Sequence, residues 1–283
     1  MSKWFRPPAT PGGMLPNLGL PLANNMRLLV APGLFNNGIG GTTGLIPAYI
    51  NIGAQPESLK LGSGGCTFAS TQQGVVAVPV SGSNISTTIT ATGVIGTVNV
   101  TFLILYRANN TSYPNTQYLK FSGNGTTDLV ELYLPYLDGT CYWDFGGGSG
   151  INRVTAAGLT YTNWAVYVVT AGHLGMQIYQ NGIQVGSSAT AVTRTDGTID
   201  VLSFAANSLS SFLPQTALFA MFDANWDSSF AREASANPWQ LFAPVRLGPK
   251  FFIPTVSAGG LSAIGSSGGF GGGIGASYAG SAS

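Results

Sequence analysis

The chain has 283 residues and a net charge of +1, and only 7% of its residues are charged, against about 25% in an ordinary soluble domain. This composition excludes an electrostatic contact with nucleic acid or with an anionic membrane, because no basic stripe is present to neutralise phosphates. The sequence contains no run of about 18 apolar residues, so no membrane span is expected. The length allows one large all-β domain or two small ones and does not decide between them.

A chain with so little charge has few groups that keep it apart from copies of itself or from other proteins. The composition therefore favours a protein that works inside a large assembly, and an ordinary soluble β domain with a neutral surface is the alternative. The first residues, M-S-K-W-F-R-P-P, lack the apolar core of a secretory signal, so export is not expected. Cys66 and Cys141 have no metal-ligand spacing, and we expect free buried thiols rather than a disulfide.

Residues 1–25 are rich in proline and glycine, a composition that forms neither a helix nor a central strand. Trp4 and Phe5 lie near the start of this segment. Two aromatic side chains favour an extended arm that contacts a neighbouring subunit, and a disordered leader is the alternative. The stretch from Leu28 to Gly44 predicts a short apolar strand and a glycine-rich loop. No Gly-Lys-Ser/Thr follows, so these glycines do not predict a phosphate-binding loop.

The middle of the chain predicts a series of short strands with turn residues between them, which is typical of a β-sandwich or jelly roll. The strand from Val98 to Tyr106 is apolar on both of its alternating faces, so we expect it to be central and covered on both sides. Asn124-Gly125 and Asp138-Gly139 mark two turns. The other predicted strands are Gly74–Val80, Ile85–Thr92, Tyr118–Phe121, Leu129–Leu134, Cys141–Phe145, Ile199–Ala205 and Thr216–Ala224.

The stretch from Trp164 to Ser187 predicts antiparallel strands with one buried face. Asn181-Gly182 lies between two alternating arms, and both residues accept the positive φ that a two-residue hairpin turn requires. Such a turn pairs Gln180 with Ile183, Tyr179 with Gln184, and Ile178 with Val185. One face of the sheet then carries Met176, Ile178, Ile183 and Val185, and the other carries Gln177, Tyr179 and Gln184.

A helix is predicted from Ser228 to Ala236, with Asp227 or Ser228 as its N-cap and Pro238 ending it. The apolar residues that follow, Trp239 to Phe242, are expected to fold back onto the sheet. A sandwich domain is therefore expected at residues 26–246. Residues 247–283 form a C-terminal extension whose Gly, Ser and Ala content from about residue 258 is typical of a flexible tail. The candidate assembly contacts are the aromatic residues of the two ends: Trp4, Phe5, Phe270 and Tyr278.

Three stretches, in this order, resemble the laminin-G-like, concanavalin A-like jelly-roll domains of bacteriophage virion structural proteins. They are Pro21 to Gly40, which contains L-F-N-N-G-I-G, the hairpin region Trp164 to Ser187, and Phe230 to Pro244, which contains N-P-W-Q-L-F. The resemblance covers roughly residues 20 to 246, and N-P-W-Q-L-F is its most specific element. It implies a two-sheet antiparallel sandwich. Asn37 stands where an acidic residue is common in these domains, so no calcium site is expected, and no other metal or cofactor is expected either.

Glycoside hydrolysis needs two carboxylates that face each other about 5–10 Å apart. The chain has ten acidic residues, and only Asp128 and Glu131 are close together in the sequence. Three positions apart on a strand, they point to opposite faces of the sheet. His173, the only histidine, falls in the bend of the hairpin, where a surface loop residue is expected. The sequence therefore favours a protein without enzymatic activity, and a polysaccharide hydrolase is the least favoured function.

Tyr142, Trp143 and Asp144 form the candidate glycan-binding set, because aromatic rings near loops stack on the apolar faces of sugars. Tyr113 and Tyr118 lie near loops as well. The alternative is that Trp143, like Trp164, is a core aromatic between the two sheets.

The leading hypothesis is a structural protein on the surface of a phage virion, as a capsid decoration or a tail appendage. Its arm and tail would bind other virion proteins and copies of the same chain. The alternative is a glycan-binding adhesin, such as a tail fibre component, that attaches the particle to a host surface. Under either hypothesis the resemblance implies a virion protein that is made in the host cytoplasm.

Overall fold

The computed structural model of the protein describes residues 14–17, 19–23, 25–32, 45–46, 48–50, 59–61, 66–79, 85–89, 98–114, 117–122, 130–146, 152–194, 200–204, 212 and 214–244. Several predicted features lie outside these residues: Trp4, Phe5, Phe270 and Tyr278, Asn37 in the glycine-rich loop, the turn Asn124-Gly125, the acid Asp128, and the extension 247–283.

The described residues form short strands and few helical turns. One α-helix, α1, runs from Ser228 to Ala236, and two 3₁₀ turns cover Pro21–Ala23 and Pro238–Leu241. The strands, in chain order, are β1 Met14–Pro16, β2 Met26–Val30, β3 Leu45–Ile46, β4 Ala48–Ile50, β5 Leu59–Leu61, β6 Cys66–Thr71, β7 Gly74–Pro79, β8 Ile85–Ile89, β9 Val100–Arg107, β10 Leu119–Ser122, β11 Val130–Tyr133, β12 Cys141–Phe145, β13 Arg153–Ala156, β14 Ala165–Gly172, β15 Gly175–Gln180, β16 Ile183–Ser188, β17 Asp200–Phe204, β18 Gln215–Phe222 and β19 Phe242–Pro244.

One sheet, called the front sheet, has the antiparallel order β13-β12-β11-β10-β17-β8-β5-β3. Its strands alternate as period-two patterning requires. Leu119, Leu132, Trp143 and Val154 lie side by side in register and are buried. The neighbouring register row, on the opposite face, consists of Lys120, Glu131, Asp144 and Arg153. The front sheet therefore turns an apolar row inward and a charged row outward.

The second sheet, called the back sheet, has the order β16-β15-β14-β9-β18-β2-β4, and the β6–β7 hairpin joins it through β18. Strand β9 lies between β14 and β18, as predicted for the central strand. Phe102 and Ile104 on one face and Leu103 and Leu105 on the other are all fully buried. Both faces of this sheet are therefore covered.

Phe102 lies at the centre of the core between the two sheets. Its ring is 6.0 Å from Phe121, 5.7 Å from Trp143 and 5.8 Å from Phe219. The Trp143 contact is edge-on, an arrangement that aromatic quadrupoles favour. Each fully buried aromatic or aliphatic side chain contributes about 1.5–3 kcal/mol to folding. This shared aromatic core holds the front and back sheets together.

A layer of helical turns covers the outer face of the back sheet. Asp227 caps helix α1 by accepting the backbone N–H groups of Ser229 and Phe230, as predicted. The N-P-W-Q-L-F motif follows, and its Trp239, Leu241 and Phe242 are buried against the sheet. These contacts confirm that the motif folds back onto the sheet and explain why β9 is apolar on both faces.

The first described residues belong to this outer layer. Met14–Pro16 pairs with Phe242–Pro244 in antiparallel register. Leu22 and Ala23, in the first 3₁₀ turn, are buried in the same cluster as the N-P-W-Q-L-F motif. Part of the segment with arm-like composition is therefore attached to the sandwich from Met14 onward.

The hairpin at Asn181-Gly182 forms as predicted, with φ of 54° and 79° at its two turn residues. Gln180 pairs with Ile183 and Tyr179 with Gln184, but Ile178 pairs with Gly186. The predicted Ile178–Val185 pair is therefore wrong, because Val185 is the extra residue of a β-bulge. The burial of two residues also differs from the predicted faces. Ile183 is 69% exposed because β16 is an edge strand, and Tyr179 is 2% exposed because the outer layer covers its face.

The two sheets approach each other at their edge strands, β13 and β16. A Cβ on Gly186 would lie 2.5 Å from the carbonyl oxygen of Thr155, so only glycine permits this approach. The protein is an all-β, two-sheet antiparallel sandwich, as the sequence predicts. Within the described part of the chain, no helix is long and apolar enough to cross a membrane.

Candidate functional site

The three candidate glycan-binding residues are consecutive on strand β12, so they do not share a face. Trp143 points into the core between the sheets, whereas Tyr142 and Asp144 lie on the outer face of the front sheet. Strand alternation therefore divides the predicted set into one core residue and two outward-facing residues.

Trp143 is a core residue, and its predicted glycan-stacking role is corrected. Its side chain is 0% exposed, and its indole Nε1–H donates to the backbone oxygen of Thr170 on the back sheet at 2.9 Å. This bond satisfies the polar group that burial would otherwise leave without a partner. Trp143 thus bridges the two sheets and presents no ring face to a ligand.

Asp144 is also buried, at 0% exposure. Its carboxylate accepts two hydrogen bonds from Arg153, one from Nε to Oδ1 at 2.6 Å and one from Nη2 to Oδ2 at 2.5 Å. A two-point arginine pair of this kind is among the strongest charge-assisted contacts in proteins. The pair raises the pKa of Arg153 above its ordinary value. Asp144 therefore holds Arg153 in place and does not itself present a free carboxylate.

Tyr142 belongs to a group of tyrosines on the outer face of the front sheet. Its ring centroid is 5.7 Å from that of Tyr136 and 6.1 Å from that of Tyr133, and the Tyr133–Tyr136 distance is 5.2 Å. All three contacts are edge-on. The Arg153 guanidinium lies 4.7 Å from the Tyr142 ring and 5.9 Å from the Tyr133 ring. Tyr133, Tyr136, Tyr142 and Arg153 are called the tyrosine face below.

A tight turn adjoins the tyrosine face. Tyr142 donates its hydroxyl to Asp138 at 2.5 Å, and Asp138 also accepts the backbone N–H of Thr140. The Tyr142 bond lowers the pKa of Asp138 and raises the pKa of the Tyr142 hydroxyl. Leu137, at the tip of this turn, is 61% exposed. The turn places an apolar side chain and an ionised carboxylate beside the half-exposed rings of Tyr136 and Tyr142.

Glu131 continues the polar row beside the tyrosine face. It is 2% exposed, and its Oε1 accepts from Gln117 at 3.0 Å and lies 3.6 Å from Lys120 Nζ. Gln117 also donates to the Tyr133 hydroxyl at 3.0 Å. The row Lys120–Glu131–Asp144–Arg153 thus places two carboxylates between two cations, so each carboxylate has a neighbouring cation.

Glu131 and Asp144 form a carboxylate pair that the sequence spacing does not reveal. They are direct partners across β11 and β12, although thirteen positions separate them in the chain. Residues opposite each other in an antiparallel pair have Cβ atoms about 4.5–5.5 Å apart. Each of the two carboxylates is buried and already faces a cation, so neither is presented to a ligand.

The other residues considered from the sequence are distributed over the sandwich. His173 is exposed on the β14–β15 turn, and its Nδ1 lies 2.8 Å from Asn99 Oδ1. Tyr118 is buried and shares a hydrogen bond with Thr216. Cys141 is a free, buried thiol whose pKa is raised by burial, as expected. Among the described residues, no group of three or more His, Cys, Asp or Glu side chains is placed to hold a metal ion.

The sequence analysis missed Tyr133, Tyr136 and Arg153. Arg153 lies on β13, whose short R-V-T-A pattern alternates the outward Arg153 and Thr155 with the buried Val154 and Ala156. The three tyrosines flank a predicted Asp-Gly turn, which is the signal that would bring them together.

No family model and no curated protein sequence matches the chain. Solved structures resemble it in fold. The binding domain of botulinum neurotoxin DC, in complex with SialylT, has a TM-score of 0.55 and 10% identity over 76% of this chain and 52% of that chain.

Two further neurotoxin structures give similar values. A botulinum neurotoxin type C structure, whose cell entry is described as dependent on two ganglioside molecules, has a TM-score of 0.53, 11% identity, and 75% and 51% coverage. The botulinum neurotoxin type G receptor-binding domain has a TM-score of 0.51, 12% identity, and 75% and 51% coverage. The chain thus spans about half the length of these structures. At such identities the likeness establishes the β-sandwich fold alone.

Proposed function

We propose that the chain is a non-enzymatic β-sandwich on the surface of a bacteriophage virion and that its tyrosine face binds a glycan. The observation that carries the glycan part is the exposed edge of the tyrosine face. Tyr136, Tyr142 and Leu137 are accessible there, whereas the core aromatics are fully buried.

The tyrosine face has the parts that sugar recognition requires. The Tyr136 and Tyr142 rings and Leu137 offer apolar contact to the C–H face of a sugar. The Asp138 carboxylate, held by Tyr142 and by the backbone, is positioned to accept sugar hydroxyls. The Arg153–Asp144 pair keeps the rings fixed, so little side-chain entropy is lost on binding.

The solved structures with the same fold support this proposal. Two of the three are described as binding domains, one of them in complex with SialylT, and the third is described by an interaction with two ganglioside molecules. None of their descriptions names a catalytic reaction for the sandwich. The Glu131 and Asp144 carboxylates beside the tyrosine face favour binding over hydrolysis, because each is buried and paired with a cation.

A glycan array with the full chain and with Tyr142→Ala and Tyr136→Ala tests the glycan proposal. The wild-type protein is expected to bind a defined subset of glycans, and each variant is expected to lose binding by about tenfold or more. Arg232→Ala, on the exposed side of helix α1, serves as the matched control and keeps wild-type binding. An array without binding, or variants that bind as wild type, would contradict the tyrosine face as a glycan site.

The virion part of the proposal rests on the low charge of the chain and on its N-P-W-Q-L-F motif. Residues 1–13 and 246–283 would contact other virion proteins or copies of the same chain. Deleting residues 1–13 leaves the Met14–Pro16 strand intact, so this truncation separates assembly from folding. The truncated chain is expected to be incorporated poorly into particles, measured by mass spectrometry of purified virions. Full incorporation of the chain that lacks residues 1–13 would contradict a role for this segment in assembly.

A further inference from the structure

Whereas the tyrosine face lies on the front sheet, a cleft lies beside the outer layer of the back sheet. Its volume is about 300 Å³, the lower end of the range for small-ligand sites. Three separate parts of the chain line it: the first 3₁₀ turn with Pro21 and Asn25 after it, the β14–β15 turn with Leu174, and the segment that contains residues 224–227 and Phe230, from the β18–α1 connection into the first turn of helix α1. It is called the Trp226 cleft below.

The wall of the Trp226 cleft is fixed by hydrogen bonds to two strands, β9 and β14, and to the β14–β15 turn. Thr101 donates its hydroxyl to the Ala224 carbonyl at 2.7 Å and accepts the Trp226 N–H at 3.2 Å. Asn225 accepts the Leu174 N–H at 2.7 Å and donates to the Thr170 hydroxyl at 3.1 Å. The cleft is therefore formed before any ligand arrives, which reduces the entropy cost of binding.

The apolar part of the cleft is aromatic and aliphatic. The Trp226 side chain, 4% exposed, lines the cleft and packs on Phe222, with the two ring centroids 4.4 Å apart. Phe230 lies beside Trp226 in a stacked arrangement, with ring centroids 6.2 Å apart. Leu174, 44% exposed, also lines the cleft. These three side chains together suit a small ring-shaped ligand with an apolar face.

The polar part of the cleft consists of Asp227 and Asn25. Asp227 uses Oδ1 to accept the Ser229 N–H, the Ser229 hydroxyl and the Phe230 N–H, which leaves Oδ2 for a ligand. These bonds lower the pKa of Asp227, the Ser229 hydroxyl contributing most, so the carboxylate is charged at neutral pH. Asn25 has an exposed side chain. Among the described residues that line the cleft, none is a lysine, an arginine or a histidine.

We propose that the Trp226 cleft binds a neutral pyranose ring, as a second sugar site separate from the tyrosine face. The hydroxyls of the sugar donate to Asp227 Oδ2 and exchange hydrogen bonds with the Asn25 amide. Its C–H face packs on Phe230 and Leu174. Acidic sugars are excluded, because the Asp227 carboxylate repels them and the lining has no cation to balance their charge.

Fluorine NMR of the full chain labelled with 5-fluorotryptophan tests this proposal. The Trp226 signal is assigned through Trp226→Phe, and methyl β-D-glucoside, methyl β-D-galactoside, methyl α-D-mannoside and methyl β-D-glucuronide are titrated separately. At least one neutral glycoside is expected to shift the Trp226 signal saturably, and the glucuronide is expected to leave it unchanged. A Trp226 signal that no neutral glycoside moves, or that the glucuronide moves equally, overturns the proposal.

Asn25→Gly removes the amide without backbone strain, because Asn25 has a φ of 62°. The affinity of this variant for the glycoside is expected to be about three- to tenfold lower than that of the wild type, because one hydrogen bond to the sugar is lost. The matched control is Asn152→Gly, the same change at a φ of 49° far from the cleft. Phe230→Leu keeps an apolar side chain but removes the ring and is expected to weaken binding similarly. Unchanged affinity in both Asn25→Gly and Phe230→Leu overturns the proposal.

The outcome of the Trp226 titration can be distinguished from the outcome of the glycan array. Tyr142→Ala is expected to leave the Trp226 titration unchanged, whether or not the tyrosine face binds a glycan. If Tyr142→Ala abolishes the shift of the Trp226 signal, the cleft is not an independent site and the proposal is overturned.

Discussion

Arg153 and Asp144 form a two-point ion pair across neighbouring strands of the front sheet, with Nε–Oδ1 and Nη2–Oδ2 distances of 2.6 and 2.5 Å. The Asp144 side chain is 1% exposed and the Arg153 side chain 29%. The pair therefore extends from the buried base of the sheet to its surface. There the same guanidinium lies over the Tyr142 ring. One contact thus links the stability of the sheet to the shape of the tyrosine face.

Arg153→Ala is expected to destabilise the protein by about 3–5 kcal/mol, because it removes the cation that neutralises a buried carboxylate. Arg153→Lys keeps the charge but loses the planar fork, so an intermediate loss is expected. The double variant Asp144→Asn/Arg153→Met should be more stable than Arg153→Ala, since the buried charge of Asp144 is removed together with its cation. Urea unfolding measures all three variants. An Arg153→Ala protein within about 0.5 kcal/mol of wild type would show that the pair contributes little.

Gly186→Ala is expected to destabilise the protein by about 1–3 kcal/mol through overpacking. The added Cβ would lie 2.5 Å from the Thr155 carbonyl oxygen and 3.1 Å from Val154 Cγ1, so β13 and β16 must separate. Ser187→Ala, at an exposed neighbouring position of the same strand, is the matched control and should be nearly neutral. Thermal unfolding compares the two. Equal melting temperatures for both variants would mean that the two edge strands do not need this close approach.

Much of the fold follows from local patterns in the sequence. The alternation in β9 predicted a strand covered on both faces, and Asp227 and Pro238 marked the ends of helix α1. The bulge at Val185 was not predictable in this way. It depends on how β16 meets β13 through Gly186, a contact between strands that are distant in the chain.

The candidate site was less predictable than the fold. Tyr142, Trp143 and Asp144 are adjacent in sequence and close to a loop, but strand alternation places Trp143 on the opposite face from the other two. Arg153, which positions the Tyr142 ring, lies on the next strand beyond a loop. The Glu131–Asp144 pairing likewise depends on the register of β11 with β12. Such cross-strand neighbours require the topology, which local pattern does not supply.

Asn181 has two roles in the central hairpin, and substitutions separate them. Its backbone takes a φ of 54°, and its side-chain Oδ1 accepts the Val166 N–H at 3.0 Å. Asn181→Gly keeps the turn but loses the hydrogen bond, so a loss of about 1 kcal/mol is expected. Asn181→Ala also incurs backbone strain, and a loss of about 2–3 kcal/mol is expected. Asn181→Asp keeps the acceptor oxygen and should lie closest to wild type in urea unfolding. Equal losses for the Gly and Ala variants would contradict a left-handed conformation at this position.

The N-cap of helix α1 should make part of the stability dependent on pH. Hydrogen bonds from the Ser229 hydroxyl and from the Ser229 and Phe230 N–H groups lower the pKa of Asp227 below its ordinary value of 3.8. Its contribution to stability is therefore fully present above the unfolded-state pKa. That contribution is lost as the pH falls through the lower folded-state value.

Asp227→Asn supplies the reference for this measurement, because asparagine caps a helix without titrating. The free energy of unfolding of wild type relative to Asp227→Asn is expected to be constant from pH 7 to about pH 5 and to fall below about pH 4. Asp227→Ala should be less stable than wild type at neutral pH by about 0.5–2 kcal/mol, the usual loss of an N-cap. A difference between wild type and Asp227→Asn that stays constant down to pH 2 would mean that the charge of Asp227 does not stabilise helix α1.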